Sequence, residues 1–273
     1  MPSPLVNIQG LNISFGTTEV LSDFNLQIEE GEIVSVVGES GSGKSVSALM
    51  SMGLLSPKAS ITSAHAEVLG QSISELTQRD WQQLRGKEIA MVFQDPMTAL
   101  HPSMRIGKQL EEVLEIHTDL SAAQRQDKVL RALEEVSIPQ PELSAKKYPH
   151  EMSGGQRQRV VIAMAMLLEP KLIIADEPTT ALDKEVEATV LELLSTLVKD
   201  KGCALWFISH DLEVVSEFSD RVVVLYKGKT VEQGAAKEVF NTPKHPYTKG
   251  LLACRPPKSG RPYPLPVLSD FLD

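Results

Sequence analysis

"VVGESGSGKS", Val36 to Ser45, is the stretch on which the reading of this chain turns. An apolar run, Ile33 to Val37, stops at Gly38, and the helix-like "VSALMSMGLL" begins directly after Gly43-Lys44-Ser45. Two glycines at this spacing followed by Lys-Ser, in a strand-to-helix context, are the pattern of a phosphate loop. Gly38, Glu39, Ser40, Gly41, Ser42 and Gly43 are therefore expected to wrap backbone N–H groups around a β-phosphate, with partial positive charge from the helix start. Lys44 is expected on the β- and γ-phosphates, and the Ser45 hydroxyl on Mg²⁺. A chance glycine-rich turn is the plain alternative; the flanking strand and helix argue against it.

Working outward, the 273-residue chain has 42% hydrophobic residues, enough for one large core or a core with a smaller subdomain. Its 36 acidic residues outnumber 27 basic ones, giving a formal charge of -9 and a pI near 5.3. That balance argues against a general nucleic-acid coat, and any anion must be held by local geometry. Cys203 and Cys254 lack metal-ligand spacing, and "MPSPLVNIQG" lacks the basic and apolar regions of a secretion signal, so a reduced, cytoplasmic protein is expected. The run "VVIAMAMLL", Val160 to Leu168, is far short of the roughly 20 residues of a spanning helix. Work at a membrane would need another anchor.

The first third alternates β-rich stretches and turns, which predicts an antiparallel region leading into a buried strand. From about Thr77 to Glu151, "TQRDWQQLRG", "MRIGKQLEEVLEIH" and "SAAQRQDKVLRALEEVSI" have helical periodicity, so an inserted helical subdomain is expected, placed at about 95–160. After Ser153 helices alternate with the apolar strands "KLIIAD", "CALWFIS" and "RVVVLYKG", the order of a parallel α/β core. The fold class is thus α/β, with residues 1–234 as one domain and 235–273, a short helix candidate from about Ala235 and then a proline-rich stretch, as a tail or linker.

"KLIIADEPTTALD", Lys171 to Asp183, ends a strand in two carboxylates at its carboxyl edge, where open α/β sheets bind ligands. Asp176 is a candidate Mg²⁺ ligand, direct or through water, and Glu177 the general base for an attacking water. A solvated loop is the alternative for such a pair alone; downstream of a phosphate loop, ATP hydrolysis is the chemistry it suits. "MSGGQRQR", Met152 to Arg159, opens a helix with two glycines, each of which should weaken it by roughly 1 kcal/mol relative to alanine.

The set "GESGSGKS", "MSGGQRQR", "LIIADEPTTALD" and "FISHDL", in this order, resembles the nucleotide-binding subunits of ABC (ATP-binding cassette) transporters, over nearly the whole chain to about Gly234. The resemblance implies that Ser153, Gly154, Gly155 and Gln156 cap the γ-phosphate of an ATP held by the phosphate loop of a second, facing cassette. An anion-seeking helix start that a neighbouring subunit must approach agrees with it, while Ser153 as an ordinary N-cap is the competing reading. It also implies that Phe15 stacks on adenine, that Gln94 reaches the Mg²⁺ and water site, and that His210 contacts the γ-phosphate and orients the catalytic pair. Asp183 would touch the opposite cassette. Each has a plainer alternative: a core phenylalanine, a polar strand end, a structural histidine.

"VFQDPMTALHPSMRIGKQL" and "TPKHPYTKGLL" are similar to the oligopeptide, dipeptide and nickel importer branch, in which the first stretch helps receive a coupling helix of the permease. Met97, Leu100, Met104 and Ile106 are candidate contacts there, or ordinary subdomain core. His101 stands where that branch usually has asparagine, and the end of the chain lacks its cysteine-rich segment, so no iron–sulfur site is expected. The proline-rich end also reads as a linker to a second cassette. The resemblance thus implies a peripheral ATPase at the cytoplasmic membrane face using ATP and Mg²⁺. Its expected partners are a second cassette, transmembrane permease subunits and an extracytoplasmic solute-binding protein. A non-transport cassette acting on ribosomes or DNA is the alternative.

Overall fold

The computed structural model describes residues 3–180, 182–254 and 271. They group into two compact units, one drawn from Met1–Ile28, Ile33–Ser74 and Phe207–Asp273, the other from Glu29–Glu32 and Glu75–Trp206.

The first unit opens with the expected antiparallel region. β1 (Val6–Phe15) pairs with β2 (Thr18–Ile28) across the turn at Gly16. Val6, Ile8, Leu11 and Ile13 of β1 and Leu21, Phe24, Leu26 and Ile28 of β2 form the buried face. β3 (Ile33–Val37) is buried at every position, the mark of a strand covered on both faces, and runs into the phosphate loop and α1 (Lys44–Ser51). The short strands β4 (Ala59–Thr62), β5 (His65–Val68) and β6 (Gln71–Ser72) complete the antiparallel sheet, β4 and β5 both pairing with β1.

The second unit contains the three helices read from periodicity: α2 (Gln78–Leu84), α4 (Ile106–His117) and α5 (Ala122–Glu135), with the short α3 (Pro96–Ala99) and α6 (Pro141–Ser144) beside them. α2 and α5 start in capping boxes, Thr77 with Asp80 and Ser121 with Gln124, so both helix starts are satisfied by reciprocal hydrogen bonds. β7 (Ile89–Val92) lies parallel to β8 (Leu172–Asp176), in register Ile89 with Leu172 and Val92 with Ala175. α7 (Gly154–Met166) buries Val160, Val161, Ile162, Ala163, Ala165 and Met166 almost all round. α8 (Lys184–Lys201) follows β8 and stops at Gly202, whose φ of 67° is a left-handed helix stop. The unit thus holds more than the subdomain expected at about 95–160, since β7, β8 and α8 cluster with the helices.

β9 (Ala204–Ile208) carries the chain back to the first unit, where α9 (Leu212–Phe218), β10 (Arg221–Tyr226) and β11 (Lys229–Ala235) follow. β10 is parallel to β3, Val224 opposite Val37, and antiparallel to β11 through a tight turn at Lys227-Gly228, both with positive φ. Within 235–273, expected as a short helix candidate followed by a proline-rich tail or linker, the described part is folded beyond that first helix. α10 (Ala236–Asn241) and α11 (Pro246–Ala253) are helices, and Tyr247 is wholly buried. Proline misleads here because Pro246 stands at the helix start, where its missing N–H would have no partner in any case. The linker expected after Cys254 lies outside the described residues, save Phe271. Cys203 and Cys254 are not in a disulfide, and burial pushes the Cys203 thiol up to about 11. Among the described residues no helix is long and apolar enough to cross a membrane.

Candidate functional site

In the first unit, the end of β3 delivers the chain into Gly38, where an added Cβ would collide with the Leu225 carbonyl oxygen. Gly43 caps α1 at φ 104°, and a Cβ there would lie 2.5 Å from Leu21 Cδ2 and 3.0 Å from the Val20 carbonyl oxygen. Only glycine fits both ends of the loop. Lys44 is buried, and its ammonium donates to the carbonyls of Gly38 and Glu39, each at 2.8 Å, which holds it over the loop. Ser42 Oγ is buried with no hydrogen-bond partner among the described residues. An orphaned hydroxyl in a loop of N–H donors beside a buried ammonium fits a phosphate, which supplies the missing acceptor. Glu39, Ser40, Gly41 and Ser45 are exposed along the same loop. Phe15 ends β1, paired with Thr18 and Ala59, and is only half-buried, so it is not the core phenylalanine of the plainer reading. His210 is exposed just after β9, and Asp211 beside it caps α9 by accepting from Glu213 and Val214 N–H.

The second unit brings Gln94 and Glu177 together: Gln94 Nε2 donates to Glu177 Oε2 at 3.3 Å. Thr180 Oγ1 donates to the same oxygen at 2.9 Å and is a site residue that sequence reading missed. Glu177 has φ 47°, a left-handed conformation uncommon for a residue with a side chain and found disproportionately at functional sites. The turn beyond it is pinned by Thr179 Oγ1, which donates to Glu187 on α8 at 2.7 Å. Asp176 ends β8, half-buried. Among the described residues no three His, Cys, Asp or Glu side chains form a metal cluster. A cation near Asp176 would need phosphate oxygens and water to complete its shell, the donor set Mg²⁺ takes in nucleotide sites.

The N-cap reading of "MSGGQ" is the one visible within this chain. Ser153 caps α7, its Oγ accepting from Gln156 N–H at 3.3 Å while Gln156 Oε1 accepts from Ser153 N–H at 3.1 Å. This uses the hydroxyl oxygen as an acceptor and leaves its proton to donate elsewhere. The two glycines have different reasons. A Cβ on buried Gly155 would sit 2.5 Å from Val186 Cγ1 of α8, so this glycine is required by the chain's own packing and not by a facing subunit alone. A Cβ on exposed Gly154 would meet only Leu182 Cδ2, at an ordinary 3.7 Å. Gly155→Ala is therefore expected to lower stability by about 1 kcal/mol net, overpacking outweighing the helix-propensity gain, a fall of about 2–4 °C in thermal unfolding. Gly154→Ala should leave the unfolding temperature unchanged while weakening ATP-driven dimerisation.

Of the candidate apolar contacts, Leu100 and Ile106 are buried core, Met104 is half-buried, and Met97 is 45% exposed with its sulfur accepting from Arg157 Nη1. Phe93, four residues earlier, is exposed as well. Buried Gln109 binds the backbone of His101 and Met104 and fixes the loop. His101 Nδ1 accepts from Ser103 N–H at 3.3 Å, the turn bond an asparagine side chain makes, which accounts for histidine at this position. Asp183 caps α8, accepting from Val186 N–H at 3.0 Å.

Comparison with known proteins decides the family. The sequence model of the ABC transporter family matches residues 21–180, and that of the oligopeptide/dipeptide transporter C-terminal region matches residues 231–263. This chain belongs to the ABC transporter family. It is the ATP-binding, ATP-hydrolysing subunit of such a transporter, with the α/β cassette fold expected from its sequence. The oligopeptide transport ATP-binding protein OppD of Bacillus subtilis is 46% identical over 258 residues, 92% of this chain and 72% of that protein. The dipeptide transport ATP-binding protein DppD of Haemophilus influenzae is 42% identical over 256 residues, covering 92% and 78%. Among solved structures, the dimeric ATP-binding cassette MJ0796 in a post-hydrolysis state bound to ADP and Pi superimposes with a TM-score of 0.74 at 28% identity, over 85% of this chain and 99% of that one. CbiO1 of Clostridium perfringens, part of the ABC transporter complex cbiONQ, gives 0.75 at 28% identity, over 88% and 92%. These relatives do not favour the ribosome or DNA alternative.

Proposed function

We propose that this ABC cassette drives peptide import by closing on a second cassette around ATP, each ATP gripped by the phosphate loop of one copy and capped by the α7 start of the other. The observation that carries this reading is the exposed Ser153-Gly154 step. Glycine there answers no packing need of its own chain, in contrast to Gly155, and leaves the helix start open to close approach by a polyanion. The dimeric cassette bound to ADP and Pi supports it, and the names of the oligopeptide and dipeptide relatives support a peptide cargo.

In this mechanism Lys44 and the loop N–H groups bind the β- and γ-phosphates, Ser42 donates its hydroxyl, and Phe15 receives the adenine face. Ser45, Asp176 and Gln94 would hold Mg²⁺, which when bound neutralises charge on the phosphate oxygens. Glu177, turned by Gln94 and Thr180, takes the proton of the attacking water, and His210 steadies the γ-phosphate. Because the cap comes from another copy, ATP favours closure only while its γ-phosphate remains. Met97 and Phe93 would receive permease subunits at the cytoplasmic membrane face, with a solute-binding protein delivering cargo outside. Ser153→Arg tests the shared site: monomer affinity for ATP should stay within about twofold while ATP-driven dimerisation, read by size-exclusion chromatography, is lost through charge and bulk at the cap. Dimerisation as in wild type would contradict it.

A further inference from the structure

We infer that Tyr247 is a positioning residue of the nucleotide site, its hydroxyl fixing the Gly38–Glu39 peptide of the phosphate loop and, through that peptide, the Lys44 ammonium. The inference rests on the reading of Gly38–Ser45 as the ATP cradle and extends it to the "TPKHPYTKGLL" stretch, to which no site role has been given above.

The Gly38–Glu39 peptide group is held at both ends. Its N–H, on Glu39, donates to Tyr247 Oη at 3.0 Å, and its carbonyl, on Gly38, accepts from Lys44 Nζ at 2.8 Å. Tyr247 thereby turns one loop amide away from the phosphate-facing set and aims the Gly38 carbonyl of the same planar peptide at the lysine. The phenol is itself immobilised. It is 0% exposed, and its ring stacks on Tyr226 with centroids 4.2 Å apart and planes at 28°. Tyr226 lies two residues beyond Val224, which is paired with Val37 at the end of β3, so the stacked pair stands beside the strand end from which the loop springs. The start of α11 is tied to the same hairpin: Lys244 and His245 N–H donate to the two carboxylate oxygens of Glu232 on β11, at 2.8 and 3.0 Å. Its first turn is closed by His245 Nδ1 accepting from Tyr247 N–H at 3.1 Å. Burial pushes the phenol up to about 12, so Tyr247 accepts from Glu39 as a neutral group and sets no negative charge beside a triphosphate. A residue of the region matching the oligopeptide/dipeptide C-terminal family thus reaches the loop common to all cassettes.

Tyr247→Phe removes the acceptor and keeps the stacked ring. In the full chain, the Kd for a fluorescent ATP analogue and the KM for ATP should rise about 3- to 10-fold, the weight of one hydrogen bond to a buried amide, with kcat within about twofold of wild type. Thermal unfolding without nucleotide should fall by no more than about 4 °C. Unchanged Kd and KM, or a lowered unfolding temperature with nucleotide affinity intact, would overturn the inference and make Tyr247 a packing residue only. Lys44→Ala in the same assay separates the two levels. If it abolishes binding while Tyr247→Phe does nothing, this inference alone fails; if it too leaves affinity unchanged, the cradle reading fails with it.

Discussion

Glu177→Gln should lower ATP turnover by about 10²- to 10⁴-fold, the span that a positioned general base contributes, while leaving ATP bound. Glutamine matches the glutamate in size and keeps an oxygen to accept from Thr180 Oγ1 and Gln94 Nε2, bonds of 2.9 and 3.3 Å in the wild-type chain. It cannot take a proton from water, and it removes a negative charge from the neighbourhood of the γ-phosphate. Binding therefore stays or tightens, and the closed dimer accumulates because its exit through hydrolysis is blocked. Single-turnover hydrolysis and size-exclusion chromatography with ATP read the two effects. Turnover equal to wild type would remove Glu177 from the base role.

Lys44→Ala should act at the opposite step, weakening ATP binding by about 2–4 kcal/mol, or roughly 30- to 1,000-fold in Kd. Lys44 is 5% exposed, and its ammonium is seated on two carbonyl oxygens 2.8 Å away. Truncation removes the cation and takes its donor from the Gly38 carbonyl, while the Glu39 carbonyl keeps the Ser42 N–H at 3.2 Å, so the attraction for the phosphates is lost. Equilibrium binding of a fluorescent ATP analogue to the monomer measures it, with no dimerisation required. Read beside Ser153→Arg, for which monomer binding persists and dimerisation fails, the two variants separate gripping the nucleotide from capping it.

The features legible in sequence were those that local chemistry dictates within a few residues. The strand, glycines and lysine of Val36 to Ser45 are contiguous, and the helical periodicity of α2, α4 and α5 lies within each helix. Strands β4, β5 and β6 are short and largely exposed or half-buried, so no alternation marked them. The separate reasons for Gly154 and Gly155 were hidden because the side chain that decides between them, Val186, belongs to another helix. Thr180 was hidden likewise, since its role depends on the left-handed turn at Glu177 that brings its hydroxyl back to the carboxylate. Tyr247 was obscured by its neighbours: Pro243 and Pro246 read as linker, yet one opens a helix whose tyrosine is bonded to a loop 208 residues earlier in the chain.

The resemblance in "SGGQ" pointed to a facing cassette, and the exposed Gly154 gives that reading a physical footing within this chain. Its sharpest test is a structure of the Glu177→Gln protein with ATP. The account predicts one triphosphate held by Lys44 of one protomer and Ser153 of its partner. A triphosphate contacted by both residues from the same protomer, or a γ-phosphate open to solvent with no second copy over it, would contradict it.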